Sequence, residues 1–221
     1  MAMVIRNRLI ALLYRLAALA GMILALVYFL RENGPLWWAF CFYGPVAGFA
    51  LILLLGGEIV DNAIDLRHGV HGVAAGVYMP ISLAVTSFCF EAFVIYLVVA
   101  LPQNGGATVS ETVFHFCLFL IPLTDWVLFD EKGTVSIHVS LTWTAVPLFY
   151  LMFVFFRAQI WNGAPIRGES LYPYWFLEPS QDLIWLFAIL FLGLMSAIQL
   201  LVVLLNNVMS GKYHRRLSLL N

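Results

Sequence analysis

"VFHFCLFLIPLTDWVLFDEKG" occupies residues 113 to 133. From Val113 to Phe129 its only polar side chains are His115, Thr124, Asp125 and the Trp126 indole N–H, and Asp130-Glu131-Lys132-Gly133 then ends the run. Extended back to residue 108, the apolar stretch is long enough to cross a bilayer, which takes about 20 residues. A chain in lipid must satisfy its own N–H and C=O groups, so the stretch is expected to be a helix. Pro122 removes one helical hydrogen bond and predicts a kink. His115 and Asp125 then stand where titratable groups are costly and need partners.

Five more runs of this kind surround it. The expected spans are 9–30, 35–56, 72–101, 108–129, 138–157 and 182–206. The chain has 221 residues, 63% of them hydrophobic and 10% charged. Soluble domains carry only about 45–50% apolar residues, so the excess here must face lipid. No run alternates like a barrel strand over about ten residues. The fold class is therefore all-α: one polytopic bundle of six transmembrane helices filling residues 1–221 as a single domain. The first run follows Arg6 and Arg8, but it is too long for a signal-peptide core and reads as a retained helix. A net charge of −1 gives no electrostatic footprint for nucleic acid. Cys41, Cys89 and Cys117 all lie inside apolar runs, which suits small apolar fillers better than disulfides.

Charges in the loops predict orientation. Arg6, Arg8, Arg67, Lys132, Lys212, Arg215 and Arg216 fall on one side, with Arg15 at its edge; Arg31, Arg157 and Arg167 fall on the other. The positive-inside rule then places both termini in the cytoplasm. Trp37, Trp38, Trp161, Tyr172, Tyr174 and Trp175 crowd the outer boundaries, as amphipathic rings do at an interface. Gly44 and Gly48, and Gly72 and Gly76, have the small-xxx-small spacing that lets helices approach closely.

Helix rise, about 1.5 Å per residue, gives depth. It puts Tyr43, Glu91, His115 and Tyr150, from four different spans, in one outer-half layer. Glu91 and His115 are natural partners there, either as a functional pair or as an interhelical hydrogen bond. Asp125 lies about 15 Å further along the helix from His115. It is expected to pair with Lys132 or to bond a neighbouring helix. Glu58, Asp61, Asp65 and His68 share one helical face, which suits a divalent metal or simply the wet side of an amphipathic helix. KYHRR (212–216) reads as a basic patch for anionic lipid heads or as a topology signal. No cofactor and no resident metal are expected.

Four of these stretches resemble a known family. They are His115 followed by Pro122 and Asp125-Trp126, TWTAVPLFYLMF (142–153), YPYWFLE (172–178) and RLIALLYRLAAL (8–19). In order and spacing they are similar to the androgen-induced membrane hydrolase family. That family includes the androgen-dependent regulator of tissue factor pathway inhibitor and a bacterial branch of six-span proteins. The resemblance is best over residues 108 to 180. It implies hydrolysis of fatty-acid esters of hydroxy fatty acids, with a threonine nucleophile in an early span and His115 as the family histidine. The threonine has no counterpart: FCFYGPVAGF (40–49) places Tyr43 nearest to it. Thr86 and Ser87 are hydroxyls of the right type but lie deeper than His115, about 20 Å below the outer end, while Cys41 and Cys117 are thiols nearer its level.

Two functions follow as expectations. In the first, a lipid ester enters a membrane-embedded hydrolase in a bacterial-type cytoplasmic membrane. His115 acts as general base, Glu91 orients it, and Tyr43 or Tyr150 donates to the oxyanion. Asp125, Trp126, Tyr172 and Tyr174 support the site and its entrance. In the second, the bundle binds a lipid, carries a solute or serves as an accessory subunit without catalysis. Membrane lipids are the expected partners in both; oligomeric partners are left open.

Overall fold

A computed structural model describes residues 4–5, 7–70, 78–160, 165–166 and 170–210. The molecule is 80% helical, with no strand among the described residues. Six helices are long and apolar enough to span a membrane: α1 (Arg8–Asn33), α2 (Tyr43–Arg67), α3 (Met79–Gln103), α4 (Val109–Phe129), α5 (Ile137–Ile160) and α6 (Ile184–Met209). By length and apolarity this is a multi-pass helical membrane protein.

Helix ends follow local chemistry. Asn7 caps α1 by accepting from the N–H groups of Leu9 and Ile10. Thr108 and Glu111 form a reciprocal capping box at the start of α4, satisfying two orphan donors. Two prolines that apolarity alone would place mid-span, Pro45 and Pro80, kink no helix. Pro45 lies in the first turn of α2 and Pro80 in the first turn of α3, where a missing N–H costs nothing.

The second span is also displaced from its expected 35–56. Leu36–Ala39 is a separate short helix, and α2 begins only at Tyr43. The reason is Pro45, whose ring would clash with the carbonyl of Cys41 in a continuous helix. At the other end α2 runs on to Arg67, because Glu58 and Asn62 are buried inside the bundle rather than solvated. The third span was expected from residue 72. The described helix starts at Met79, and residues 71–77, Gly72 and Gly76 among them, lie outside the described residues. So do Arg6, Trp161, Arg167 and the 212–216 basic patch.

Prolines mark two further irregularities. Pro102 cannot donate to the Val98 carbonyl, and α3 widens to a π-turn over Tyr96–Ala100. Pro147 stands four residues after Trp143, and α5 breaks at Thr144. In α4 the helix runs unbroken through Pro122, with Tyr14 donating to the neighbouring Ile121 carbonyl at 2.8 Å.

Helices α1 to α4 pack as a four-helix group, with α1 against α2 and α4, and α3 against α2 and α4. Helices α5 and α6 pack on the far side of α3, which is the most buried span. Gly48 lets α1, α2 and α4 meet: a Cβ there would sit 3.1 Å from Phe114 and 3.2 Å from Met22.

Candidate functional site

Polar side chains gather in three places in this apolar bundle. The first is near the end of α4 that leads into Asp130. Arg15 of α1 is fully buried. Its Nε donates to Asp125 Oδ1 at 2.9 Å and its Nη2 to Asp125 Oδ2 at 3.1 Å, a bidentate pair. Glu58 Oε2 of α2 lies 3.1 Å from Nε, and Asp130 Oδ1 lies 3.5 Å from Nη2. Ser82 of α3 donates to Asp130 at 3.0 Å. Lys132 donates to the main-chain carbonyls of Trp126 and Asp130, and its ammonium lies 5.5 Å from the Trp126 ring centre. Trp126 in turn donates to Asn206 of α6 at 3.0 Å.

Asp125 therefore takes a neighbouring helix as partner, by way of Arg15, and not Lys132. Arg15 is no edge charge: it ties α1, α2, α4 and the following loop together. Ligand oxygens of Glu58, Asp125 and Asp130 lie within 4.8 Å of one another. The guanidinium already sits among them, so the arrangement is a salt-bridge network rather than a vacant cation cage. The expected acidic face on α2 divides accordingly. Glu58 is buried in this network, Asp65 pairs with Arg8, Asp61 is half-buried and His68 is exposed.

Asp130 lies just past α4, where burial pushes its carboxyl up to about 7; the charge of Asp125 adds to this and Arg15 opposes it. The folded state therefore favours the protonated form. That contribution to stability is complete below the ordinary value of 3.8 and is lost as pH rises through about 7. The unfolding midpoint in detergent should fall across that interval, and less steeply in Asp130→Asn. An identical slope in the variant would remove Asp130 as the cause.

The second place is at the centre of the bundle. Glu91 of α3 is fully buried and accepts from the Tyr43 hydroxyl and, at 2.8 Å, from Gln199 Nε2 of α6. Thr144, at the break in α5, donates to Gln199 Oε1 at 3.1 Å. Tyr150 packs edge-on against Tyr43, with ring centres 5.0 Å apart, and donates to the Cys41 carbonyl at 2.9 Å. Three of the four residues expected in one layer thus do meet. The Tyr43 hydroxyl is committed to Glu91 and the Tyr150 hydroxyl to the main chain, which argues against either as an oxyanion donor. Glu91→Ala would strand Tyr43 and Gln199 in an apolar interior, costing about 1–3 kcal/mol for each unsatisfied group. Glu91→Gln retains an acceptor and should lose much less. Equal unfolding midpoints for the two variants would contradict this account.

The third place is a cavity of about 140 Å³ among α1, α2, α3, α4 and the loop before α6. Phe29, Phe42, Ala92 and Ile95 give it apolar walls, while Asn33, Gln103, Asn104 and Glu111 supply polar groups. His115 lines it and is 8% exposed. His115 Nδ1 lies 2.8 Å from the Glu111 carbonyl, which can only accept, so Nδ1 carries the proton and donates. Neutral imidazole then leaves Nε2 as an acceptor, and Nε2 has no hydrogen-bond partner among the described residues. The ring is held by Tyr96, stacked at 4.0 Å and 7° from the π-turn of α3.

His115 and Glu91 are not hydrogen-bonded to each other, because each has its bonds elsewhere. Tyr174 lines the cavity and accepts from the Tyr43 N–H at 3.2 Å; burial pushes its phenol up to about 12, so it keeps its proton. Tyr172 is buried beside Phe155, away from the cavity lining. None of Thr86, Ser87, Cys41 and Cys117 lines the cavity.

Arg15 counts in the sequence only as a loop charge, and Tyr96 and Gln199 carry little to mark them. Arg15 had a signal, a lone guanidinium inside an apolar run. Tyr96 had a weak one, six residues ahead of Pro102. Gln199 had only its polarity within α6. Comparison with protein-family models, with curated proteins and with solved structures finds no match to this chain.

Proposed function

We propose that the chain is a membrane-embedded hydrolase of lipid esters, with both termini cytoplasmic, and that the His115 cavity is its active site. The observation behind this is the unpartnered Nε2 of a buried imidazole facing a cavity with apolar walls and a few polar groups. That is the chemistry of a general base waiting for a proton donor. The resemblance of residues 108 to 180 to the androgen-induced hydrolases points the same way, since His115 stands at the family histidine.

No serine, threonine or cysteine lines the cavity among the described residues, so water is the nucleophile in this scheme. The cavity has room for water beside an acyl group. His115 Nε2 takes one proton of the water as its oxygen bonds to the acyl carbon. The acyl–oxygen bond then breaks, and the same proton passes to the departing alkoxide. Acid and alcohol are the products, and the imidazole ends neutral. Glu91 acts at a distance from this chemistry, fixing α2, α3 and α6 around the cavity through Tyr43 and Gln199.

A fatty-acid ester of a hydroxy fatty acid, offered to the protein in nanodiscs, tests the proposal. Release of free acid that depends on intact His115 is expected. A fluorophosphonate should leave the chain unlabelled, because no activated side-chain hydroxyl takes part. Covalent labelling would replace water with a side-chain nucleophile.

One observation favours a second function. Glu91 has no hydrogen bond to His115, and Nδ1 bonds a main-chain carbonyl rather than a carboxylate. A non-catalytic lipid-binding or accessory bundle needs no such carboxylate. It would use Nε2 only to accept a hydrogen bond from a lipid hydroxyl.

A further inference from the structure

Helix α2 begins inside the cavity. Phe42, Gly44 and Pro45, at its start, all line it. The first N–H groups of any helix lack intrahelical partners and point out of its N-terminal end. In α2 the N-cap residue, Phe42, offers no side-chain acceptor. The Tyr43 N–H goes to the Tyr174 hydroxyl, another cavity residue, which shows where this end of the helix is aimed. Pro45 has no N–H to offer. The Gly44 N–H has no hydrogen-bond partner among the described residues.

A second, independent group faces the same spot. His115, more than nine-tenths buried, brings its unpartnered Nε2 against Gly44: a Cβ at that position would sit 3.0 Å from Nε2 and 3.6 Å from Cδ2. Gly44 does not have a positive φ, so its backbone does not require glycine. What glycine provides is the close approach of the His115 ring, which brings Nε2 beside a free donor.

We infer that the N-terminus of α2 and His115 form a two-point receptor for a lipid acyl carbonyl, in which the Gly44 N–H donates to the carbonyl oxygen while Nε2 accepts a proton from the group beside it. This rests on the proposed hydrolase and supplies the oxyanion donor that Tyr43 and Tyr150 cannot. As water adds to the acyl carbon, the carbonyl π pair moves onto oxygen. The resulting negative charge lies at the positive end of a 25-residue helix. A secondary amide of a fatty acid has the same two features, a carbonyl acceptor and an adjacent N–H donor. It resists hydrolysis and should occupy the site.

The probe is N-methyl oleamide with a 13C-labelled carbonyl, added to the protein in nanodiscs and followed by isotope-edited infrared spectroscopy. Wild type should show a bound carbonyl band at lower frequency than the amide in lipid alone. Gly44→Ala should lose that band and weaken binding about tenfold or more, while His115→Ala should weaken binding and keep the low-frequency band. A Gly44→Ala protein that binds the amide as wild type does, with the same band, overturns the inference; so does a wild type with no shifted band. If Gly44→Ala fails to fold, Ala92→Leu, which fills the cavity from α3, takes its place, and undiminished binding in that variant overturns the inference equally. Ester hydrolysis measured alongside separates the two claims. Hydrolysis indifferent to Gly44→Ala refutes the carbonyl receptor and leaves the hydrolase standing. A shifted amide band without any hydrolysis supports the receptor and refutes the hydrolase.

Discussion

Arg15→Met should be the most destabilising single substitution in this protein. Methionine fits the apolar surroundings, but the change leaves Glu58, Asp125 and Asp130 buried, with ligand oxygens within 4.8 Å of one another and no guanidinium between them. Removing one partner of a buried ion pair costs about 3–5 kcal/mol, because the other charge stays behind unpaired. For a chain of this size that is a fall in unfolding midpoint on the order of 10 °C. Cys89 is fully buried, so a thiol-reactive dye reports the unfolding directly in detergent. Arg15→Lys should also be destabilising, since a single ammonium cannot replace a planar fork that spans three carboxylates. Adding Asp125→Asn to Arg15→Met should recover part of the loss by removing one stranded charge. A midpoint for Arg15→Met equal to wild type would mean that the network contributes nothing net to the fold.

His115→Ala should have the opposite profile: little effect on folding and a large one on chemistry. The side chain has one hydrogen bond to the main chain, a stacked Tyr96 and an Nε2 that no described residue uses. A positioned general base contributes about 10²–10⁴-fold to rate. Because the base acts in the transition state, ester turnover should fall by about that factor through kcat, with KM nearly unchanged. Full turnover in the variant would end the general-base role. A wild type that binds neutral lipids through Nε2 without turning them over would move the protein to the binding function.

Much of the fold was legible in the linear sequence because lipid imposes so strict a rule on the backbone. Six apolar runs had to be six helices, and α4 and α6 begin and end within a few residues of the expected positions. Both errors fall at the ends of the second span. Apolarity alone cannot separate Leu36–Ala39 from α2, since both are oily; the clash of Pro45 with the preceding turn does. The second span is expected to stop at residue 56 because Glu58, Asp61 and Asp65 read as a face in water. The helix continues because Arg15, on another helix, lies against Glu58.

The sequence by itself determined that this chain is a bundle of membrane-spanning helices, and it located the polar residues that such a bundle must account for. Hydropathy and length are local properties, and they suffice for that. Which polar groups meet is a property of helix rotation and packing, to which depth along the chain is blind. Glu91 and His115 lie at similar depth, yet one turns to Tyr43 and Gln199 and the other to the α2 terminus. Asp125 and Arg15 are 110 residues apart in sequence and 2.9 Å apart in space. Only the tertiary structure decided those pairings. A charge buried in an apolar interior must find its partner in three dimensions, and the partner here lies on a different helix.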